Sequence, residues 1–257
     1  MPENQLKDPD WIQPEWPAPP GVGATITTRM GGVSTAPYDR LNLSLGVGDR
    51  EETVRINRAR LRDALQLPCE PQWLTQVHGT QVVVAQRVSQ TRTADACYTR
   101  ERGLACAVLT ADCLPVLICN RSAGQVAAVH AGWRGLAGGI LARALACFEE
   151  SPEQLLVYLG PALSQPRFEV GVEVLEAFFQ QARTATHADQ MAEAFRPSAR
   201  PLHFCADLYA LARADLQALG VCEIHGGGFC TYDEPERFYS YRRDGVTGRM
   251  ASLIWIK

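Results

Sequence analysis

The spacing of apolar and polar positions changes several times along the chain, and each change marks an element. Over residues 23–29 (GATITTR), Thr and Ile alternate with a period of two, which predicts a strand, and residues 30–34 (MGGVS) break it as a loop. From Asp49 the period lengthens. Asp49 and Glu52 stand at capping-box spacing, and Val54, Leu61 and Leu65 share one face as far as Leu67-Pro68, predicting an amphipathic helix with its arginines outward. Residues 73–78 and 82–85 read as strands about the turn His78-Gly79-Thr80.

The middle third is the most apolar. Residues 104–110 predict a buried strand, Ala111-Asp112-Cys113 interrupts it, and residues 114–119 resume it. A strand over 125–130 runs into Ala131-Gly132-Trp133-Arg134-Gly135, and residues 136–148, apolar nearly all round, predict a buried helix. A strand over 155–159 closes on Gly160-Pro161. Helices are expected over 172–182 and 206–219, the second stopped by Gly220. The polar stretch 187–200 reads as an excursion, and residues 238–256 as two strands around Asp244-Gly245. Strands and helices mix without regular βαβ alternation. The expectation is an α+β fold: a single catalytic domain over residues 21–257, with mixed β-sheets flanked by helices, behind a flexible Pro-rich lead-in over residues 1–20.

Composition narrows the partners. The 257 residues are 46% hydrophobic and 21% charged, ordinary for a chain that buries a sizeable core. Twenty-five Lys+Arg against 28 Asp+Glu give a net charge of -3, which argues against the basic face that duplex binding needs. A small anion held by a few arginines stays compatible with that balance. Nine cysteines, at 69, 97, 106, 113, 119, 147, 205, 222 and 230, form no C-x-x-C pair and are odd in number. They read as reduced thiols of a cytoplasmic protein rather than a disulfide framework. The polar, Pro-rich start is unlike a signal peptide, and the apolar stretch 103–119 is broken by Asp112 and Pro115, so no membrane partner is expected.

Candidate chemistry gathers where apolar strands end, at His78, Cys113 and His130. A His or Cys there is more often a satisfied structural residue than a ligand. The spacings of 35 and 17 residues match no zinc finger, zincin or ribbon, so spacing alone leaves a metal site open. The company these residues keep adds weight: Gly79 follows His78, Asp112 precedes Cys113, and His130 leads into a Gly-Trp-Arg-Gly loop.

Seven segments carry a wider resemblance: Thr28-Arg29-Met30-Gly31-Gly32-Val33-Ser34, Asn42-Leu43-Ser44, Thr75-Gln76-Val77-His78-Gly79, Ala111-Asp112-Cys113-Leu114-Pro115-Val116, His130-Ala131-Gly132-Trp133-Arg134-Gly135, Leu159-Gly160-Pro161 and Phe238-Tyr239-Ser240-Tyr241-Arg242-Arg243-Asp244. On them the chain resembles the family named variously as polyphenol oxidase (laccase) domain proteins, adenosine-deaminating purine nucleoside phosphorylases, and peptidoglycan editing factors. The resemblance implies that His78, Cys113 and His130 bind one zinc ion per chain and form the catalytic centre. Three protein ligands leave a fourth position for water or substrate, as in catalytic zinc sites, and the zinc would lower the pKa of a water bound there toward about 7.

Phosphorolysis of a nucleoside also needs an anion site. Arg29, Arg134, Arg242 and Arg243 are the candidates for phosphate, weighed against the plainer role of a solvated arginine. Asp112 is a candidate to orient a ligand or move a proton, or else to cap backbone amides. Trp133 is a candidate to stack on a purine, though tryptophan is more often core, and Gln76 and Asn42 to read its edges.

The implied activity is a zinc-dependent purine nucleoside phosphorylase acting on adenosine, inosine, guanosine or S-methyl-5′-thioadenosine, with adenosine deaminase activity. The partners are then the nucleoside and phosphate, with the protein a monomer or small homo-oligomer. Three alternatives stand beside it. Cys113 could serve as nucleophile with His130 or His78 as base in a hydrolase, and either that or a zinc hydrolase could edit a peptidoglycan precursor by removing a misincorporated amino acid. Copper could occupy the same two-His, one-Cys set and oxidise phenols, although five histidines without an H-x-H pair are too few for a multicopper oxidase. The metal could also be structural and the protein a binding module.

Overall fold

The computed structural model describes residues 10–87 and 91–257. Its first half forms β1 (Val22–Ile26), α1 (Glu51–Ala64), β2 (Leu74–Thr75), β3 (Val82–Val84), β4 (Arg92–Thr93), β5 (Ala96–Thr99), β6 (Ala105–Thr110), β7 (Leu114–Asn120) and β8 (Val126–Ala131). There follow α2 (Trp133–Ala137), α3 (Ile140–Leu145), β9 (Leu155–Leu159), β10 (Glu169–Gly171), α4 (Val172–Phe179), α5 (Ala185–Glu193) and β11 (Phe195–Pro197). The chain closes with β12 (His203–Ala206), α6 (Leu208–Ala218), β13 (Glu223–Gly226), α7 (Tyr241–Asp244) and β14 (Met250–Ile256).

The period-two burial of β7 explains the layering. Val116 and Ile118 face a core shared with α2, α3 and α6, while Leu117 and Cys119 face the second sheet. Both faces are covered, so β7 reads as an unbroken apolar run. It lies inside a six-stranded mixed sheet, ordered β13-β9-β7-β8-β5-β3, whose outer pairs β13–β9 and β3–β5 are parallel. The antiparallel sheet β1-β14-β6 packs on it, and α1 covers the outer face of that smaller sheet through Leu61 with Leu41, Leu43 and Trp73. Two shorter sheets, β10-β12-β11 and β2-β4, complete the single α+β domain. Among the described residues no helix is long and apolar enough to cross a membrane.

Several local expectations are corrected. The helix expected over 136–148 is two short helices, because Gly138-Gly139 lies inside it and Gly139 takes φ +85, a left-handed conformation that ends a helix. The first of them starts early, at Trp133. Of the two tail strands only β14 forms; the Ser240 side chain accepts from the Arg243 amide and winds residues 241–244 into one helical turn. The stretch 187–200 is no excursion: α5 is capped by Thr184 and buries His187 and Met191. Asp49 makes no capping box, since its carboxylate instead accepts from the Ser34 hydroxyl and the Asn42 amide. Of the lead-in, residues 1–9 lie outside the described residues; beyond them Ile12 bridges to Ile26 and the Trp16 ring meets Tyr158 edge-on at 5.9 Å.

Asn57 ties α1 to the loop that precedes it. Its side chain is fully buried, accepts from the Val33 amide at 2.9 Å, and donates to the Ser34 hydroxyl and the Asn42 carbonyl, each at 2.9 Å. Asn57→Ala is expected to lower stability by about 2–3 kcal/mol, because it orphans several buried polar groups at once. Urea unfolding checks this through a lowered midpoint at unchanged slope.

Candidate metal centre

The centre is assembled at the strand ends by register. β7 and β8 pair antiparallel, with Leu114 opposite Ala131 and Pro115 opposite His130, so Cys113, one step beyond, faces Gly132. His78 comes from the turn after β2, where it takes φ +59, and Asp112 just before Cys113 takes φ +92. Left-handed backbone at two non-glycine residues beside one cluster is strain held by the surrounding fold.

Asp95, the residue just before β5, holds that turn. Its buried carboxylate accepts from the amides of Val77 at 3.3 Å, His78 at 2.8 Å and Gly79 at 2.7 Å. The same carboxylate meets Nδ1 of His130 at 2.8 Å, and the Asp95 carbonyl accepts the His130 amide at 2.7 Å. One residue therefore sets the backbone of one histidine and the ring of the other. With Nδ1 on Asp95, the free nitrogen of His130 is Nε2.

The donor atoms of His78, Cys113 and His130 lie within 4.8 Å of one another, and Cys113 Sγ is 3.7 Å from His78 Nε2. The two imidazoles meet edge-on, with centroids 4.8 Å apart. Among the described residues this is the one cluster of three or more His, Cys, Asp or Glu side chains close enough to share an ion. It is graded in exposure, with His130 buried, Cys113 half-buried and His78 exposed. Gly132 backs it: a Cβ there would stand 2.9 Å from His78 Cδ2 and 3.1 Å from Cys113 Sγ.

Burial pushes the Cys113 thiol up, but the charge of His130, with hydrogen bonds from both histidines, brings its pKa down to about 6. Burial likewise disfavours a charged His130, yet the Cys113 thiolate and Asp95 raise it to about 9. Asp95 is held below its ordinary value by His130 and the turn amides in spite of its burial. These shifts favour charge separation between Cys113 and His130 beside the Asp95 carboxylate. Two imidazole nitrogens, a thiolate, a carboxylate orienting one ring and a glycine floor together fit a borderline-soft divalent ion with an open coordination position.

The other candidate residues have varied roles. Both oxygens of Asp112 are engaged, one by the Thr231 hydroxyl at 2.7 Å and one by the Arg242 amide at 2.6 Å. Gln76 pairs both ends of its amide with the backbone of Leu109, and buried Asn42 bonds Ser44, Asp49 and the Arg249 amide. Arg29 is bound to Asp39 and the Pro235 carbonyl, and Arg243 to the carbonyls of Thr231, Tyr232 and Phe238. Arg242 reaches the carbonyls of Arg167 and Glu169. Arg134 is exposed and rests on the half-buried Trp133 ring at 4.4 Å.

Sequence reasoning missed Asp95, Gly132 as the floor, and Arg249. The last residue before β14, Arg249 is half-buried; burial lowers its pKa, against the charges of Cys113 and Asp112, and its Nη1 donates to the carbonyls of Thr247 and Gly248. The one local signal for Asp95 is a lone acid among small residues in Thr93-Ala94-Asp95-Ala96.

Fold and site together define a single-domain α+β protein with a two-His, one-Cys centre open on one side. The chain belongs to the family described as multi-copper polyphenol oxidoreductase laccase, which it matches over residues 23–257. It is 51% identical over 247 residues to a Pseudomonas aeruginosa protein named purine nucleoside phosphorylase, covering 96% of this chain and 98% of that one. A purine nucleoside phosphorylase of Escherichia coli, YfiH, is 49% identical over 95% of this chain and 98% of its own. Among solved structures, a Neisseria meningitidis protein superposes with a TM-score of 0.90 at 47% identity, covering 96% and 99% of the two chains. YlmD from Geobacillus stearothermophilus does so at 0.89 and 31%, covering 98% of each.

Proposed function

We propose that this chain is a zinc-dependent purine nucleoside phosphorylase, taking adenosine, inosine, guanosine or S-methyl-5′-thioadenosine with phosphate to the free base and the pentose 1-phosphate, and that it also deaminates adenosine to inosine. The observation that carries the reading is the convergence of His78, Cys113 and His130 donors within 4.8 Å, in a chain about half identical to relatives bearing that name. In phosphorolysis the bond between the sugar's anomeric carbon and the purine nitrogen breaks. A phosphate oxygen bonds to that carbon, and the base leaves with the electron pair and takes up a proton. Zinc held by the three side chains would supply Lewis acidity at its open position.

The chain's own residues supply placement. Asp95 keeps the His130 ring from turning and leaves Nε2 toward the centre. The exposed edge at His78 is the entry for the nucleoside. Arg134, which follows the glycine floor by two positions, and Arg249, which the Cys113 charge reaches and whose Nη1 alone is spent on the Thr247 and Gly248 carbonyls, are the guanidiniums we assign to phosphate. We place the activity in the cytoplasm, where nucleosides and phosphate occur and the nine free cysteines stay reduced.

The test is product analysis of adenosine incubated with purified, metal-assayed protein, with and without phosphate. Adenine and ribose 1-phosphate are expected only with phosphate, lost on chelation and restored by zinc rather than copper. Inosine formed without phosphate is the expected sign of deamination. Turnover that survives chelation would assign the chemistry to Cys113 as a nucleophile. No product from a zinc-loaded chain would end the nucleoside reading and turn attention to cell-wall precursors.

A further inference from the structure

A second charged site lies away from the metal centre, in a cavity of about 470 Å³ beside α1. That volume is in the range of small-molecule pockets. Arg55, Arg58 and Arg62 all line it, and their spacing along α1 puts them on one helix face, while Val54, Asn57 and Leu61 are buried. None of His78, Cys113 or His130 contributes to its wall.

Arg58 is the unusual member. Its guanidinium lies over the buried Trp73 ring at 4.1 Å, and its Nε donates to the Leu43 carbonyl at 2.9 Å. Its two terminal nitrogens have no acceptor among the described residues. Burial lowers its pKa to about 10, with Glu70 opposing and Arg55 adding to that shift. A half-buried guanidinium without a carboxylate partner is a poor choice for stability alone. The indole and the carbonyl fix its fork in advance, as recognition of an anion would require.

The neighbouring charges leave the wall positive. Arg55 is held by Glu51 and Arg62 by Asp63, exposed pairs of little worth that a stronger acceptor can displace. Glu70 is the one acid on the wall, and it is engaged: Oε1 accepts from the Trp73 indole at 2.6 Å, and Oε2 lies 3.9 Å from Arg62. Three guanidiniums against one committed carboxylate match a ligand with several charged oxygens, for which a phosphoryl group is the fitting chemistry. We infer that this cavity between α1 and Trp73 binds a phosphoryl group, free or carried on a small molecule of nucleotide size, with Arg58 as its anchor. The inference is independent of the activity proposed at the metal centre.

Calorimetric titration of the metal-loaded full chain with inorganic phosphate and with adenosine 5′-monophosphate tests this, with Cys113→Ala as the chain lacking the metal centre. Beyond any phosphate held at the metal centre, a second class of site is expected, which weakens at least tenfold in Arg58→Met and severalfold in Arg55→Gln or Arg62→Gln and is unchanged in Cys113→Ala. Should Arg58→Met fail to fold, Arg58→Lys keeps the charge without the fork, and weakened binding is expected there too. Tighter binding of the nucleotide would identify a carried phosphoryl group, and equal binding free phosphate. Binding lost in Cys113→Ala but intact in the Arg58 variants would place the anion at the metal centre and overturn the inference. So would the absence of binding by both probes.

Discussion

Asp95→Ala is expected to weaken metal binding by about 10–100-fold, the usual effect of removing the partner that orients a ligating histidine. Here it should also lower stability by about 3–5 kcal/mol, because the carboxylate does two jobs from inside the fold. It accepts three successive amides of the turn that carries His78, and it fixes Nδ1 of His130. Alanine would leave those amides without an acceptor and free the ring to rotate. Asp95→Asn is expected to fail as well. Its amide has a single acceptor oxygen, and its NH2 would face groups that are themselves donors. Competition with a chromogenic chelator reads the first effect, and urea unfolding of the metal-free chain reads the second. Wild-type metal affinity in Asp95→Ala would show that His130 is oriented by something else.

The same residue marks where the sequence stops being legible. Cys113 and His130 could be found because each ends an apolar run, and runs are local. Asp95 meets groups 17 and 35 residues away in sequence, so no window around it shows that three amides and a ring converge on it. Periodicity failed in a related way over residues 136–148: the apolar pattern continues through Gly138-Gly139, but the backbone at Gly139 does not. The arginines teach the complementary lesson. Arg29 and Arg243 sit in motifs that promise an anion site, yet their donors are spent on a carboxylate and on the chain's own carbonyls. A sequence gives the donors without saying which acceptors the fold will bring to them. Arg249 is invisible for a different reason, since only the pairing of Met250 with Thr110 carries it to the end of the sheet where Cys113 stands.

Gly132→Ala is expected to disable the centre while leaving the fold nearly untouched. The backbone at this position, φ -61 and ψ 155, suits any residue, so the substitution carries no conformational penalty of its own. Its methyl group would instead enter the space beside the ligands, 2.9 Å from His78 Cδ2, 3.1 Å from Cys113 Sγ and 3.5 Å from His130 Cε1. Carbon contacts settle at about 3.5–4.0 Å, so His78 and Cys113 must both retreat. On the proposed activity, a displacement of that size is expected to lower turnover by about 100-fold. Metal content should fall with it, while the metal-free chain unfolds within about 1 kcal/mol of the parent. Gly139→Ala supplies the opposite profile. A Cβ there meets nothing within 4 Å, but φ is +85, so it should strain the backbone by about 1–2 kcal/mol and leave the bound metal in place. Full metal content in Gly132→Ala would mean that the three ligands close on their ion from a direction the glycine does not guard.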